Sequence, residues 1–186
     1  MALVESSNHI KHGDTAPSFT LKGTDGNKYS LEDVKGEQAT LVIFMCNHCP
    51  YVIGKLDEMN KIYEDFKDTG LTVIGINAND ADNYPEDSFE HMQDFVKEGK
   101  VKFLYVYDES QEVAKKYDAQ CTPDPFLFDK DLKLVFHSRI GDPPGQHPSK
   151  VPELYDAINE FLETGSISAE EKPSMLLHRE FSSVFW

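Results

Sequence analysis

Two cysteines three positions apart, Cys46 and Cys49, bracket an asparagine and a histidine in the stretch FMCNHCP at residues 44–50. A thiol attacks a disulfide or binds a metal only as thiolate, so the pair's chemistry depends on what lowers the ordinary cysteine pKa of about 8.5. The spacing is open to three readings: a redox dithiol, half of a metal site, or two small buried side chains. His48, between the thiols, can place positive charge beside a thiolate, which stabilises the reduced pair and makes its disulfide more oxidising. Structural zinc needs four ligands. The chain offers one further cysteine, Cys121, and scattered histidines, with no second CxxC and no HxxxH pair.

The elements around the motif favour the dithiol. Thr40–Met45 (TLVIFM) is unbroken and rich in β-branched residues, as expected of a strand covered on both faces. From Tyr51 to Lys67 the apolar positions Val52, Leu56, Met59, Tyr63 and Phe66 recur at helical spacing, and Leu71–Asn77 reads as the next buried strand. The cysteines therefore sit where a central strand gives way to a helix. At such a junction Cys46 is expected to meet the unpaired N–H groups and positive end of the helix, so that its pKa falls. Cys49, one turn later, is then within reach to resolve a mixed disulfide formed at Cys46.

Elsewhere, Ser18–Leu21 and Asn27–Ser30 flank a Thr-Asp-Gly turn and predict a small hairpin, and Leu31–Lys35 a helical turn closed by Gly36. Phe89, Met92 and Phe95 or Val96 mark a helix after the acidic loop 79–88. Phe103–Tyr107 predicts a strand, and Val113, Ala114 and Tyr117 a short helix. Phe126–Phe128 and Leu132–Phe136, separated by Asp129-Lys130-Asp131, form the strongest hairpin signal, and Val151–Thr164 a last helix. Gly141–Ser149 reads as a surface loop. Residues 165–186 lack periodicity and are expected to be irregular or docked by Phe181, Phe185 and Trp186.

The 186 residues suffice for one domain with a tail, and 39% apolar content supports a real core without a disulfide framework. With 18 Lys+Arg against 33 Asp+Glu the net charge is −15, which repels nucleic acid and anionic lipid. The N-terminal residues show no secretory signal pattern and no stretch reaches the length of a membrane span, so a cytoplasmic location is expected.

A second signal, Gln120-Cys121-Thr122-Pro123-Asp124-Pro125, stands just before the strong hairpin. Here the chain resembles the thioredoxin superfamily, and within it the redoxin branch of AhpC/TSA proteins and TlpA/ResA-like thiol-disulfide oxidoreductases. GDTAPSF at 13–19 matches the GDxAPxF opening of that branch. YSLEDVKG at 29–36 and Glu112–Tyr117 fit as well.

The resemblance implies an α/β thioredoxin fold, a mixed central sheet flanked by helices with an N-terminal β-hairpin extension. It divides the chain into an arm (1–12), a redoxin domain (13–164) and a tail (165–186). It implies Cys46 as nucleophile, Cys49 as resolving thiol and Pro123 as a cis-proline whose neighbouring backbone pairs with an extended substrate. Thr122, Asn47 and Cys121 are further candidates, Cys121 with a buried structural role as the equal alternative. No cofactor or metal is implied. Substrates would be protein or low-molecular-weight disulfides, with an electron donor such as a thioredoxin system, and the protein a monomer or homodimer.

Departures narrow the activity. Asn47-His48 replaces thioredoxin's Gly-Pro, and Met45 its tryptophan. The buried acid that serves the resolving thiol falls on Thr40, leaving Glu37 or a water as the expected proton acceptor. Peroxiredoxins use Thr-x-x-Cys and an arginine, where this chain has Ile43 and Thr122-Pro123, so a thiol peroxidase of the AhpC/TSA type is the alternative rather than the first reading. A Sco-like metal-binding chaperone is a second alternative, with a CxxC one residue short of the CxxxC those proteins use. The tail lacks the cysteine that related tails carry after Pro-Ser; here Pro173-Ser174 is followed by Met175.

Overall fold

The computed structural model describes residues 4–5, 10–141, 153–172 and 175–176. In chain order the strands are β1 (Val4–Glu5), β2 (Thr20–Gly23), β3 (Lys28–Ser30), β4 (Ala39–Phe44), β5 (Leu71–Asn77), β6 (Leu104–Tyr107), β7 (Asp124–Asp129), β8 (Leu134–His137) and β9 (Met175–Leu176). The helices are α1 (Pro50–Ile53), α2 (Leu56–Phe66), α3 (Phe89–Lys97), α4 (Glu112–Tyr117) and α5 (Glu153–Thr164), with single 3-10 turns at Glu32–Val34 and Pro85–Asp87. Among the described residues no helix is long and apolar enough to cross a membrane.

Seven strands form one mixed sheet in the order β3-β2-β6-β5-β4-β7-β8. Strands β4, β5 and β6 run parallel, and the hairpins β2–β3 and β7–β8 close the two sides antiparallel. The unbroken apolar run at β4 is explained by its central place. Ala39, Leu41 and Ile43 point into one core layer with Met59, Ile62 and Phe66 of α2 and Leu154, Ala157 and Ile158 of α5. Val42 and Phe44 point into the other, with Val113, Ala114 and Tyr117 of α4 and with Phe19, Leu31 and Val34 from the N-terminal segment. Gly75 on β5 has no room for a side chain: a Cβ there would meet the sulfur of Met45 at 2.9 Å and the rings of Phe103 and Tyr105 at 3.0 Å.

The predicted 51–67 helix is divided. Gly54 and Lys55 separate a four-residue α1 from α2, and Lys55 leaves the helical region at ψ 1°. The apolar spacing survives the break because it spans only two residues. The predicted last helix begins at Glu153 as described, while Val151 and Pro152, the loop after Gly141, and Phe181, Phe185 and Trp186 lie outside the described residues. Tail residues that are described lie against the body: Lys172 accepts from the Arg139 N–H, the His137 N–H donates to Glu171, and β9 pairs with β1.

Asp108, just after β6, is fully buried and organises α4. The N–H groups of Val113 and Ala114 both donate to its Oδ2 at 2.9 Å, and the Ser110 hydroxyl donates to Oδ1 at 3.2 Å. Replacing the carboxylate orphans two buried donors at a cost of about 1–3 kcal/mol each. Asp108→Ala is therefore expected to lose about 2–6 kcal/mol of unfolding free energy in urea melts. An unchanged midpoint would show that the helix start does not depend on this carboxylate.

Candidate active site

The antiparallel register of β4 with β7 pairs Phe44 with Asp124. Carried two residues beyond the strands, it sets Cys46 opposite Thr122, and the contacts follow. Cys46 Sγ lies 3.4 Å from the Thr122 hydroxyl, and the Cys49 thiol donates to the Thr122 carbonyl at 3.6 Å. The Thr122–Pro123 peptide is cis, as the resemblance implied, and Pro123 is half-buried. Cys121 is a buried thiol, 3% exposed, next to this segment.

The parallel register of β4 with β5 brings a second loop to the dithiol. Met45 N–H donates to Ile76 at 2.9 Å, so the residues after β4 and those after β5 emerge side by side. Asp87, from the 3-10 turn in the β5–α3 connection, is fully buried there. Its Oδ1 accepts the Asn47 N–H at 2.6 Å, and its Oδ2 accepts the Asn79 amide at 2.8 Å and lies 2.5 Å from His48 Nδ1. Asn47 is held further by the Glu86 carbonyl at 2.8 Å and the Tyr105 hydroxyl at 3.0 Å. The His48 ring stacks on Tyr84, centroids 4.5 Å apart and 3° from parallel.

Two expectations are corrected here. Helix α1 starts at Pro50 with Cys49 as its N-cap, so the helix end faces Cys49 and not Cys46. Burial pushes the Cys46 thiol up, assisted by the neighbouring Cys49 and the Asp87 carboxylate, and its exposure is 0%. Cys49 is the acidic member, held down to about 6 by the hydrogen bond from Cys46, with further help from the N–H groups of Val52 and Tyr51 and from Thr122, against the opposing effect of burial. The two thiols are thus coupled, with burial opposing charge on Cys46 and the N–H groups of the helix start favouring it on Cys49. The second correction concerns the acid. Glu37 is exposed and precedes β4, at the strand's opposite end from the dithiol, and the six residues of β4 alone span about 20 Å at about 3.3 Å per residue. Asp87 is the buried carboxylate at the site. Thr40 instead uses its hydroxyl to accept the Gly36 N–H at 3.0 Å.

The Asp87 carboxylate raises the His48 pKa against the effect of burial, and the charges of Cys49 and Glu86 act in the same sense. Reading 79–88 as an acidic loop missed this residue. The available signal was topological: connections leaving the C-terminal ends of adjacent parallel strands meet above the sheet. Donor atoms of Cys46, His48 and Asp87 come within 4.8 Å of one another. Both Asp87 oxygens accept from N–H donors of the chain, so Asn47, His48 and Asn79 are joined through it in one hydrogen-bond network. Ile43 is buried in the core, and Arg139 is committed to Glu153 at 2.9 and 3.1 Å, so neither stands in for a peroxide-binding group.

Comparisons with known proteins agree with this arrangement. The thiol-disulfide oxidoreductase ResA of Bacillus thuringiensis subsp. konkukian is 29% identical over 123 residues, a match that spans 66% of this chain and 66% of that protein. A crystal structure of a conserved protein from Geobacillus kaustophilus superposes with a TM-score of 0.89 at 40% identity, covering 100% of this chain and 97% of that one. The thioredoxin domain of a thiol-disulfide oxidoreductase from Bacteroides vulgatus superposes at 0.65 with 25% identity, covering 82% and 99%. The sheet order and flanking helices are those of the thioredoxin fold, and with the family's sequence pattern running from residue 11 to residue 158, the chain belongs to the Redoxin family.

Proposed function

We propose that the protein is a thiol-disulfide oxidoreductase whose Cys46–Cys49 pair exchanges two electrons with a disulfide presented as an extended peptide or a low-molecular-weight compound. The observation that carries this reading is that two thiols one turn apart both lie against Thr122, beside the backbone of the cis Thr122-Pro123 peptide. That segment continues from β7 and offers strand-like main chain to a substrate.

In the reductive direction the Cys49 thiolate attacks one substrate sulfur, forming a mixed disulfide as the other substrate sulfur leaves with the bond's electron pair and takes a proton. Cys46 then loses its proton and attacks the Cys49 sulfur. A Cys46–Cys49 disulfide forms and the second substrate sulfur departs, so two electrons pass to the substrate together with one proton from Cys46 and one from solvent. A thioredoxin-type donor in the cytoplasm would restore the dithiol. Attack is given to Cys49 here because the helix start and the greater exposure, 7% against 0%, are both at Cys49; the resemblance implies the reverse order, with Cys46 as nucleophile.

Trapping decides the order. Cys46→Ser is expected to accumulate a mixed disulfide with a model peptide disulfide, read by intact mass, and Cys49→Ser to react more slowly. Accumulation in Cys49→Ser alone would return the attack to Cys46.

A peroxidase reading has one observation in its favour, the Thr122 hydroxyl beside Cys46. A single neutral donor stabilises a departing peroxide oxygen far less than the threonine and arginine together. Stopped-flow rates of the reduced protein are therefore expected to be those of an ordinary acidic thiol with hydrogen peroxide, and faster by orders of magnitude with a mixed disulfide. A peroxide rate that exceeds the disulfide rate would make the protein a peroxidase.

A further inference from the structure

The two residues inside the CxxC motif are both held by one side chain from another part of the chain. Asp87 receives the Asn47 N–H and the His48 ring, and is itself fixed from behind by Asn79 at Oδ2 and by Asn77, whose amide donates to the Asp87 carbonyl at 3.1 Å. With no exposure to solvent, this carboxylate is unscreened, and its charge reaches both His48 and Cys46. Tyr84 covers one face of the ring. The hydrogen bond at Nδ1 sets the ring's tautomer and orientation, as a carboxylate does for a histidine elsewhere.

We propose that Asp87 is the positioning residue through which His48 acts on the Cys46–Cys49 dithiol. This rests on the dithiol reading above and adds to it the group that controls the poise of the pair. Without the carboxylate, the groups left facing His48 are the Cys49 thiolate, Glu86 and the Tyr84 ring, with the Tyr105 hydroxyl one residue away at Asn47. None of the last three receives the Nδ1 hydrogen. The ring is then an ordinary histidine, neutral above a pH of about 6.5, and its contribution to the thiolate disappears. His48 and Asp87 thus act as one unit, and removing either leaves little for removal of the other to change.

The test is a double-mutant cycle on the full chain. Wild type, His48→Ala, Asp87→Asn and the double variant are equilibrated with glutathione at about pH 7.5, one unit above the ordinary histidine value. His48→Ala is expected to shift the equilibrium about tenfold toward the disulfide in the wild-type background, about 30 mV for a two-electron couple, and less than about threefold in the Asp87→Asn background. Equal shifts in both backgrounds would overturn the role of Asp87 while leaving the dithiol reading intact. Absence of any Cys46–Cys49 disulfide would overturn both. A titration of the His48 ring by NMR in the wild-type protein serves if Asp87→Asn does not fold. It is expected to show an Nδ1-protonated ring titrating above the ordinary histidine value, and a ring titrating at or below that value would overturn the proposal.

Discussion

Strand β4 must bury both faces and pair along both edges, and the rest of the molecule follows from that requirement. A parallel neighbour on one edge and an antiparallel one on the other means that two connections converge where β4 ends. One is the start of β7, which delivers Thr122 and Pro123 to the sulfurs. The other is the connection after β5, which delivers Asp87. A shift of either neighbour by one residue would turn its side chains to the opposite face and empty the site.

At that meeting point the chemistry is decided by desolvation. Both sulfurs are buried, and a buried pair cannot carry two negative charges beside a buried carboxylate. Burial therefore opposes charge on both sulfurs at once, and N–H groups that favour it are available at the helix start, beside Cys49. His48 and Asp87 form a partly buried pair in which the carboxylate also accepts from the Asn47 N–H and the Asn79 amide, which helps such a buried charge to persist. The replacement of Gly-Pro by Asn-His inside the motif is thus more than a change of local charge. Both side chains reach across to the β5–α3 connection, so the motif is braced from outside rather than stiffened by proline.

The same geometry separates this site from a peroxide-reducing one. The position three residues before Cys46 belongs to the core face of β4, and Arg139 is occupied at the start of α5. The Thr122 hydroxyl and the strip of main chain beside the sulfurs suit a substrate that brings its own leaving sulfur.

The sequence by itself determined the element types and the place of the dithiol at the end of a buried strand, because periodicity and motif spacing are local properties, while the Thr-Pro opposite it was implied by the resemblance to the thioredoxin superfamily. The β2–β3 and β7–β8 hairpins, the short helix α4 and the central strands all stand where the apolar patterns put them. The break at Gly54-Lys55 was hidden because two residues do not disturb an apolar stripe. Only the tertiary structure decided which sulfur meets the helix start and which acid stands beside the pair. The first depends on where helix α1 begins to within one turn, and on burial, neither of which a pattern resolves. The second depends on a contact between residues 48 and 87 that exists only because β4 and β5 are parallel neighbours, so that a carboxylate remote in sequence is desolvated against the motif.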